Sequence, residues 1–220
     1  MYRQVLLAQW IAARQAALTF FVLGFALPLV AVYFGTSGVA ADAGQVRGWL
    51  RGAERVGSLL PILALFVGVF FGMASWAPDH LGRHVYALSL PVPRWQFVLL
   101  RFEAGLTLLA LPVAGVLLGA ALATMAVTLP AGIHAYPVAL TARFALASLL
   151  CFAIFFSISI ATKRMVLAVL GVIGGVLLVD LLVNMFADTS TSITAALFTA
   201  LTTWPGPLAI LMGRWALFDV

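Results

Sequence analysis

Five long stretches of this chain carry at most two charged residues each, and that continuity limits the fold more than any single motif does. Residues 16–34, 58–75, 97–129, 138–162 and 165–186 approach or exceed the roughly 20 residues that one helical membrane crossing needs. A soluble globule would carry about a quarter charged residues; here 9% are charged and 64% hydrophobic. An outer-membrane barrel would read as short alternating segments, whereas these runs are continuous and rich in Leu, Ala, Val and Gly. The expectation is an all-α fold, a polytopic helical membrane bundle occupying 1–220 as a single transmembrane domain. It has five spans and a sixth apolar segment, 193–212, interrupted by Trp204-Pro205-Gly206-Pro207. That segment reads either as a proline-broken crossing or as a re-entrant one.

The connections are short. Residues 1–15 mix Arg3, Gln4, Gln9, Arg14 and Gln15 with Val5, Leu6, Trp10 and Ile11, a pattern that suits an interfacial helix leading into the first span. Pro28 is expected to kink that span rather than end it. Val39, Ala40 and Ala41 imitate a signal-cleavage site, but the apolar run before them is longer than a signal peptide's and reads as an anchor. Residues 35–57 form an external loop in which Arg51 and Arg55 could share one face of a short surface helix. The run 97–129 is longer than a simple crossing, so this helix tilts or projects, with Arg101 and Glu103 in its first turns on the projecting side. Residues 130–137 and 188–192 read as turns.

Counting cations sets the orientation. A cytosolic N-terminus gathers Arg3, Arg14, Arg83, Arg94, Arg101, Lys163 and Arg164 on that side, against Arg47, Arg51, Arg55 and Arg143 outside. The expected setting is the inner (plasma) membrane of a prokaryote, with the N-terminus in the cytosol. The net charge of +5 then marks topology, and nucleic acid is not expected as a partner.

Most site chemistry is missing from the sequence. Lys163 is the single lysine and no glycine-rich loop precedes it, so the chain has no Walker A loop. Cys151 stands alone in an apolar run and reads as a packing residue. Asp79, His80 and His84 set two imidazoles at i and i+4, but a zinc site needs three or four ligands, and His134 falls on the other side of the membrane; polar interface residues are the favoured reading, with no metal. Asp180 is the deepest acid. At 1.5 Å per residue it lies about 9 Å inside the outer end of its span, and Arg143 about 8 Å inside the outer end of the preceding one. An Arg143–Asp180 ion pair that fixes helix packing is preferred to a transport carboxylate. Gly68 and Gly72, Gly115 and Gly119, and Gly171 and Gly175 have the spacing that lets membrane helices approach closely, within the bundle or between protomers. No catalytic set shares a face, so no enzymatic activity is expected.

The polar elbow at 76–96 is where a soluble partner could bind. Trp76 and Trp95 bracket it as interfacial anchors, and Pro91-Val92-Pro93 forces a change of direction. Gly82, then Leu88-Ser89-Leu90-Pro91-Val92-Pro93-Arg94, then an apolar run to Arg101, resembles the segment between the second and third spans of type-2 ABC exporter permeases. The resemblance implies that this segment is a cytosolic coupling helix docking into a separate ATP-binding cassette subunit. Asp79, His80, Gly82, Arg83, His84, Tyr86, Leu88 and Leu90 would form or flank the docking surface, Pro91 and Pro93 would end it, and Arg94 and Arg101 would sit at the membrane boundary. It further implies a permease subunit of an ATP-driven exporter, paired with a second permease protomer of the same or similar sequence. The chain itself would hold no cofactor, ATP and Mg being bound by the partner ATPase. Two other readings remain open at this point: a structural or assembly subunit of a larger membrane complex, and a secondary transporter using Asp180.

Overall fold

The computed structural model describes residues 2–35, 52–54, 56–77, 93–127, 133–160, 168, 171–172, 174–176, 178–179, 193–203, 205–206 and 208–219. The chain divides into two compact units, Met1–Phe156 with Arg214–Val220, and Ser157–Gly213.

In the first unit the apolar runs become helices: α1 Tyr2–Gly35, α2 Leu59–Ala74, α3 Arg94–Met125 and α4 Pro137–Ile160, the last turn of α4 opening the second unit. Among the described residues four helices are long and apolar enough to cross a membrane, which is compatible with a membrane protein. Prolines mark the starts. Pro93 in extended conformation (φ −55°, ψ 135°) precedes α3, and Pro137 opens α4, where its missing N–H would have had no helical partner. Pro28 and Pro112 lie inside α1 and α3 without ending them. Hydroxyls in these apolar helices bond back to their own backbone: Thr19 donates to the Gln15 carbonyl (2.9 Å), Thr107 to that of Glu103 (2.9 Å) and Thr141 to that of Pro137 (2.8 Å).

Close glycine seams set the packing. Gly115 and Gly119 of α3 lie against the backbone of Phe21 and Phe25 of α1, where a Cβ on Gly115 would come 2.5 Å from the Phe21 carbonyl oxygen. Gly68 of α2 meets Ser148, Cys151 and Phe152 of α4, and Gly72 meets Phe152, Phe155 and Phe156. Both contacts advance in the same direction along the two chains, so α1 runs parallel to α3 and α2 parallel to α4. Two of the three small-residue pairs are thus seams inside the bundle. Around Gly171 and Gly175 nothing among the described residues lies within 4 Å of an added Cβ.

Helix α1 departs from the expected interfacial helix followed by a span, because its hydrogen bonding is unbroken from Tyr2 to Gly35. It is nevertheless bent. Extending the Phe21–Gly115 register straight down would leave Tyr2 eleven residues of α3 short of Thr107, about 16 Å, yet the Tyr2 hydroxyl meets Thr107 Oγ1 at 2.7 Å. Gln9 meets the Arg101 carbonyl at 3.3 Å. The first turns therefore lie across α3, level with Arg101–Thr107, instead of continuing the axis of the span.

Three other expectations change. Residues 52–54 and 56–57 are helical, and the apolar helix that contains α2 runs Gly52–Ala74, beginning within the segment expected as loop. The 130–137 turn contains a strand, β1 His134–Ala135, paired antiparallel with β2 Phe218–Asp219, His134 opposite Asp219 and Ala135 opposite Phe218. In the second unit, α5 Ile193–Thr202 spans about 15 Å, half the hydrocarbon thickness of roughly 30 Å. The chain then reverses, the Leu208 N–H bonding the Leu201 carbonyl at 2.9 Å ahead of a 3-10 turn at Ala209–Leu211. Among the described residues, then, 193–212 is a short helix and a reversal, not a continuous crossing. The expected fifth span, 165–186, falls largely outside the described residues; those described within it are helical.

Candidate functional site

Of the elbow residues, Asp79, His80, Gly82, Arg83, His84, Tyr86, Leu88, Leu90 and Pro91 lie outside the described residues, as does Asp180. What the structure presents is the elbow's root: the end of α2, from which it leaves, and the start of α3, to which it returns.

The root is built on the inward stripe of α3. Arg101, Ala104, Gly105, Leu108, Pro112, Gly115, Val116 and Gly119 are all buried and recur at the i, i+3, i+4, i+7 spacing of one helix face. Arg101 is thus carried inward by the periodicity of its neighbours. It is 7% exposed, so its side chain faces the neighbouring helices. Its guanidinium donates to the Ser75 carbonyl and lies 5.2 Å from the ring centre of Trp76 and 4.7 Å from that of Phe97. A buried cation is costly unless its charge is met; the helix-end carbonyl accepts from one terminal N–H and two aromatic faces offset the charge.

Neighbouring helices complete the site. Gln9 of α1 donates to the Arg101 carbonyl at 3.3 Å. Ser75 Oγ donates to the Phe71 carbonyl at 2.8 Å, leaving its own carbonyl for Arg101. Trp76 packs on Phe156 of α4 (5.3 Å), and Phe102 touches Phe152 and Phe156, each at 5.2 Å. Gly105 makes room for this cluster, since a Cβ there would stand 2.6 Å from Phe152 Cζ and 2.9 Å from Ser75 Oγ. Trp76 is 5% exposed and Trp95 is 63% exposed, so of the two expected interfacial anchors one is a core residue. Arg94 opens α3 and is exposed.

At the opposite end of the unit the C-terminal tail is clasped to the bundle. Arg214 bonds Glu54 through Nε (3.0 Å) and also through Nη2, Arg143 donates to the Arg214 carbonyl at 2.6 Å, and the Arg143 guanidinium lies 4.7 Å from the Trp215 ring centre. The Tyr136 N–H bonds the Leu217 carbonyl at 2.9 Å, and Trp215, Leu217 and Phe218 are buried. Arg143, expected to pair with Asp180, is engaged here by the tail. Neither Arg214 nor Glu54 stood out in the sequence, where the signal was only the apolar run Trp215–Phe218 beside a cation. Among the described residues no three His, Cys, Asp or Glu side chains converge as a metal site would require.

The arrangement at the root joins four helices, α2 through the Arg101 guanidinium, α1 through the Arg101 carbonyl and α4 through Trp76, and it ties together the two points where the elbow leaves and re-enters the bundle. Comparison with protein-family models, with curated proteins and with solved structures finds no match to this chain.

Proposed function

We propose that this chain is the membrane-spanning subunit of an ATP-driven exporter, and that 76–96 is the handle on which a separate ATP-binding subunit acts. The observation that carries this reading is the Arg101 cluster. Because Ser75 and Trp76 at one end of the elbow are held to Arg101 near its other end, and through it to Gln9 of α1 and Phe156 of α4, a push on the elbow is delivered to four helices together. The resemblance of Gly82 and Leu88–Arg94 to a coupling segment supports the same reading, as does the lack of any ATP-binding loop in the sequence. In this proposal the protein sits in a prokaryotic plasma membrane with its N-terminus and elbow in the cytosol. It works as a dimer of permease protomers, and ATP and Mg stay on the partner.

The test is co-purification from mild detergent in the native host. An ATP-binding subunit is expected to accompany the wild-type chain and to be lost on charge reversal at Arg83 or Arg94. If no ATPase accompanies the chain and the reversals change nothing, the exporter reading fails; a stable complex with other membrane proteins alone would make it an assembly subunit.

A further inference from the structure

The bend in α1 leaves a cleft between its first turns and α3. The cleft has a volume of about 400 Å³, within the range of roughly 300–1,000 Å³ usual for ligand pockets. Leu6, Leu7 and Trp10 form one wall and Leu108 and Leu111 the other, with Arg3 and Thr107 at the polar margin. We propose that this cleft is a binding site for an anionic membrane phospholipid, one acyl chain lying between the leucine walls and the phosphate on Arg3.

Three observations commit the site to that occupant. The walls are almost wholly apolar, which suits a hydrocarbon chain and offers little to a polar metabolite. The single charged group lining it is a guanidinium, whose planar fork matches a phosphate; Arg3 is exposed and has no acidic partner among the described residues. Beside it, the Tyr2 hydroxyl and Thr107 Oγ1, 2.7 Å apart, give a headgroup further hydrogen-bonding atoms. Trp10 in the cleft wall supplies an amphipathic indole of the kind favoured between headgroups and chains. The cleft also lies where the first turns cross α3 instead of following it, so a lipid there would fill the wedge that the bend opens. This site is independent of the exporter reading, since a resident lipid would brace α1 whatever the elbow binds.

The experiment uses the full chain in bilayer discs of mixed phosphatidylglycerol and phosphatidylcholine, with the lipid retained after release of the protein weighed by native mass spectrometry. The wild type is expected to keep one phosphatidylglycerol per chain in preference to phosphatidylcholine. Arg3→Gln, a surface change that spares folding, is expected to lower that preference about fivefold, the effect of about one cation at an anionic surface. Leu111→Trp fills the cleft and is expected to abolish retention of both lipids while the melting temperature shows a folded protein. Equal retention of the two lipids by wild type, an unchanged preference in Arg3→Gln, or lipid still bound in folded Leu111→Trp would each overturn the proposal. Should Leu111→Trp not fold, the Arg3→Gln ratio decides alone.

Discussion

The two ends of the first unit both set an arginine against a tryptophan, Arg101 beside Trp76 at 5.2 Å and Arg143 beside Trp215 at 4.7 Å, yet they are built differently. At the elbow end the cation itself is buried and bonds a helix-end carbonyl. At the other end the indole is buried, while the ion pair that closes the clasp is open, its Arg214 and Glu54 side chains 71% and 36% exposed. A buried charge with fixed acceptors is rigid and expensive to disturb; an exposed pair is screened and contributes little. The elbow end is thus a rigid joint between helices, and the tail end a screened closure of the bundle.

The largest expected effect comes from removing the cation at the elbow end. Arg101→Ala strands the buried Ser75 carbonyl, a loss of about 1–3 kcal/mol, and removes a stem that packs against two aromatic rings. A total near 3 kcal/mol would lower the melting temperature by roughly 6–12 °C in a chain of this size. Arg101→Lys keeps the charge without the planar fork and is expected to recover only part of it. A melting temperature within about 2 °C of wild type for Arg101→Ala would erase the contrast between the ends.

A glycine at each end sharpens the comparison. A Cβ on Gly57 would overlap the Trp215 carbonyl oxygen, backbone against backbone, so Gly57→Ala must displace the tail, at a cost of about 2 kcal/mol. At Gly105 the obstacles are a ring tip and a hydroxyl, side-chain atoms that yield more readily than backbone, and Gly105→Ala is expected to cost about 1 kcal/mol. Limited proteolysis distinguishes them: cleavage within 214–220 should accelerate in Gly57→Ala and stay unchanged in Gly105→Ala. Tail release by Gly105→Ala instead would mean that the two ends are one coupled structure.

Helix existence was legible from the sequence because apolar continuity alone decides it: 58–75 became Leu59–Ala74, 97–129 became Arg94–Met125, and 138–162 became Pro137–Ile160. Pro28 was readable as internal, since membrane helices tolerate proline. The two sites were not legible. An arginine seven residues after Pro-x-Pro-Arg reads as a boundary cation; the stripe Ala104, Gly105, Leu108 carries it inward, but that its acceptor is the Ser75 carbonyl shows only where α2 and α3 meet. The clasp joins residues 160 positions apart, and a four-residue apolar tail is too short to carry a periodic signal. The bend of α1 was half legible, as a change from amphipathic to apolar composition without the broken hydrogen bonding that a separate helix would have shown.

The smallest effect is expected from the exposed pair, and it tests the comparison from its weak side. Glu54→Gln keeps the size of the side chain and an oxygen that can still accept from Arg214, removing only the charge. Exposed pairs of this kind contribute roughly 0.2–1 kcal/mol, and at about 1 M salt the screening length falls to roughly 3 Å, so the difference in melting temperature between Glu54→Gln and wild type should shrink as salt is raised. Trp215, Leu217 and Phe218 keep the tail docked through burial, which is why loss of the charge alone should not release it to proteolysis. A salt-independent loss above about 2 kcal/mol, beyond the range of exposed pairs, would show that Glu54 and Arg214 act as a desolvated pair, and the tail end would then be as rigid a joint as the root of the elbow.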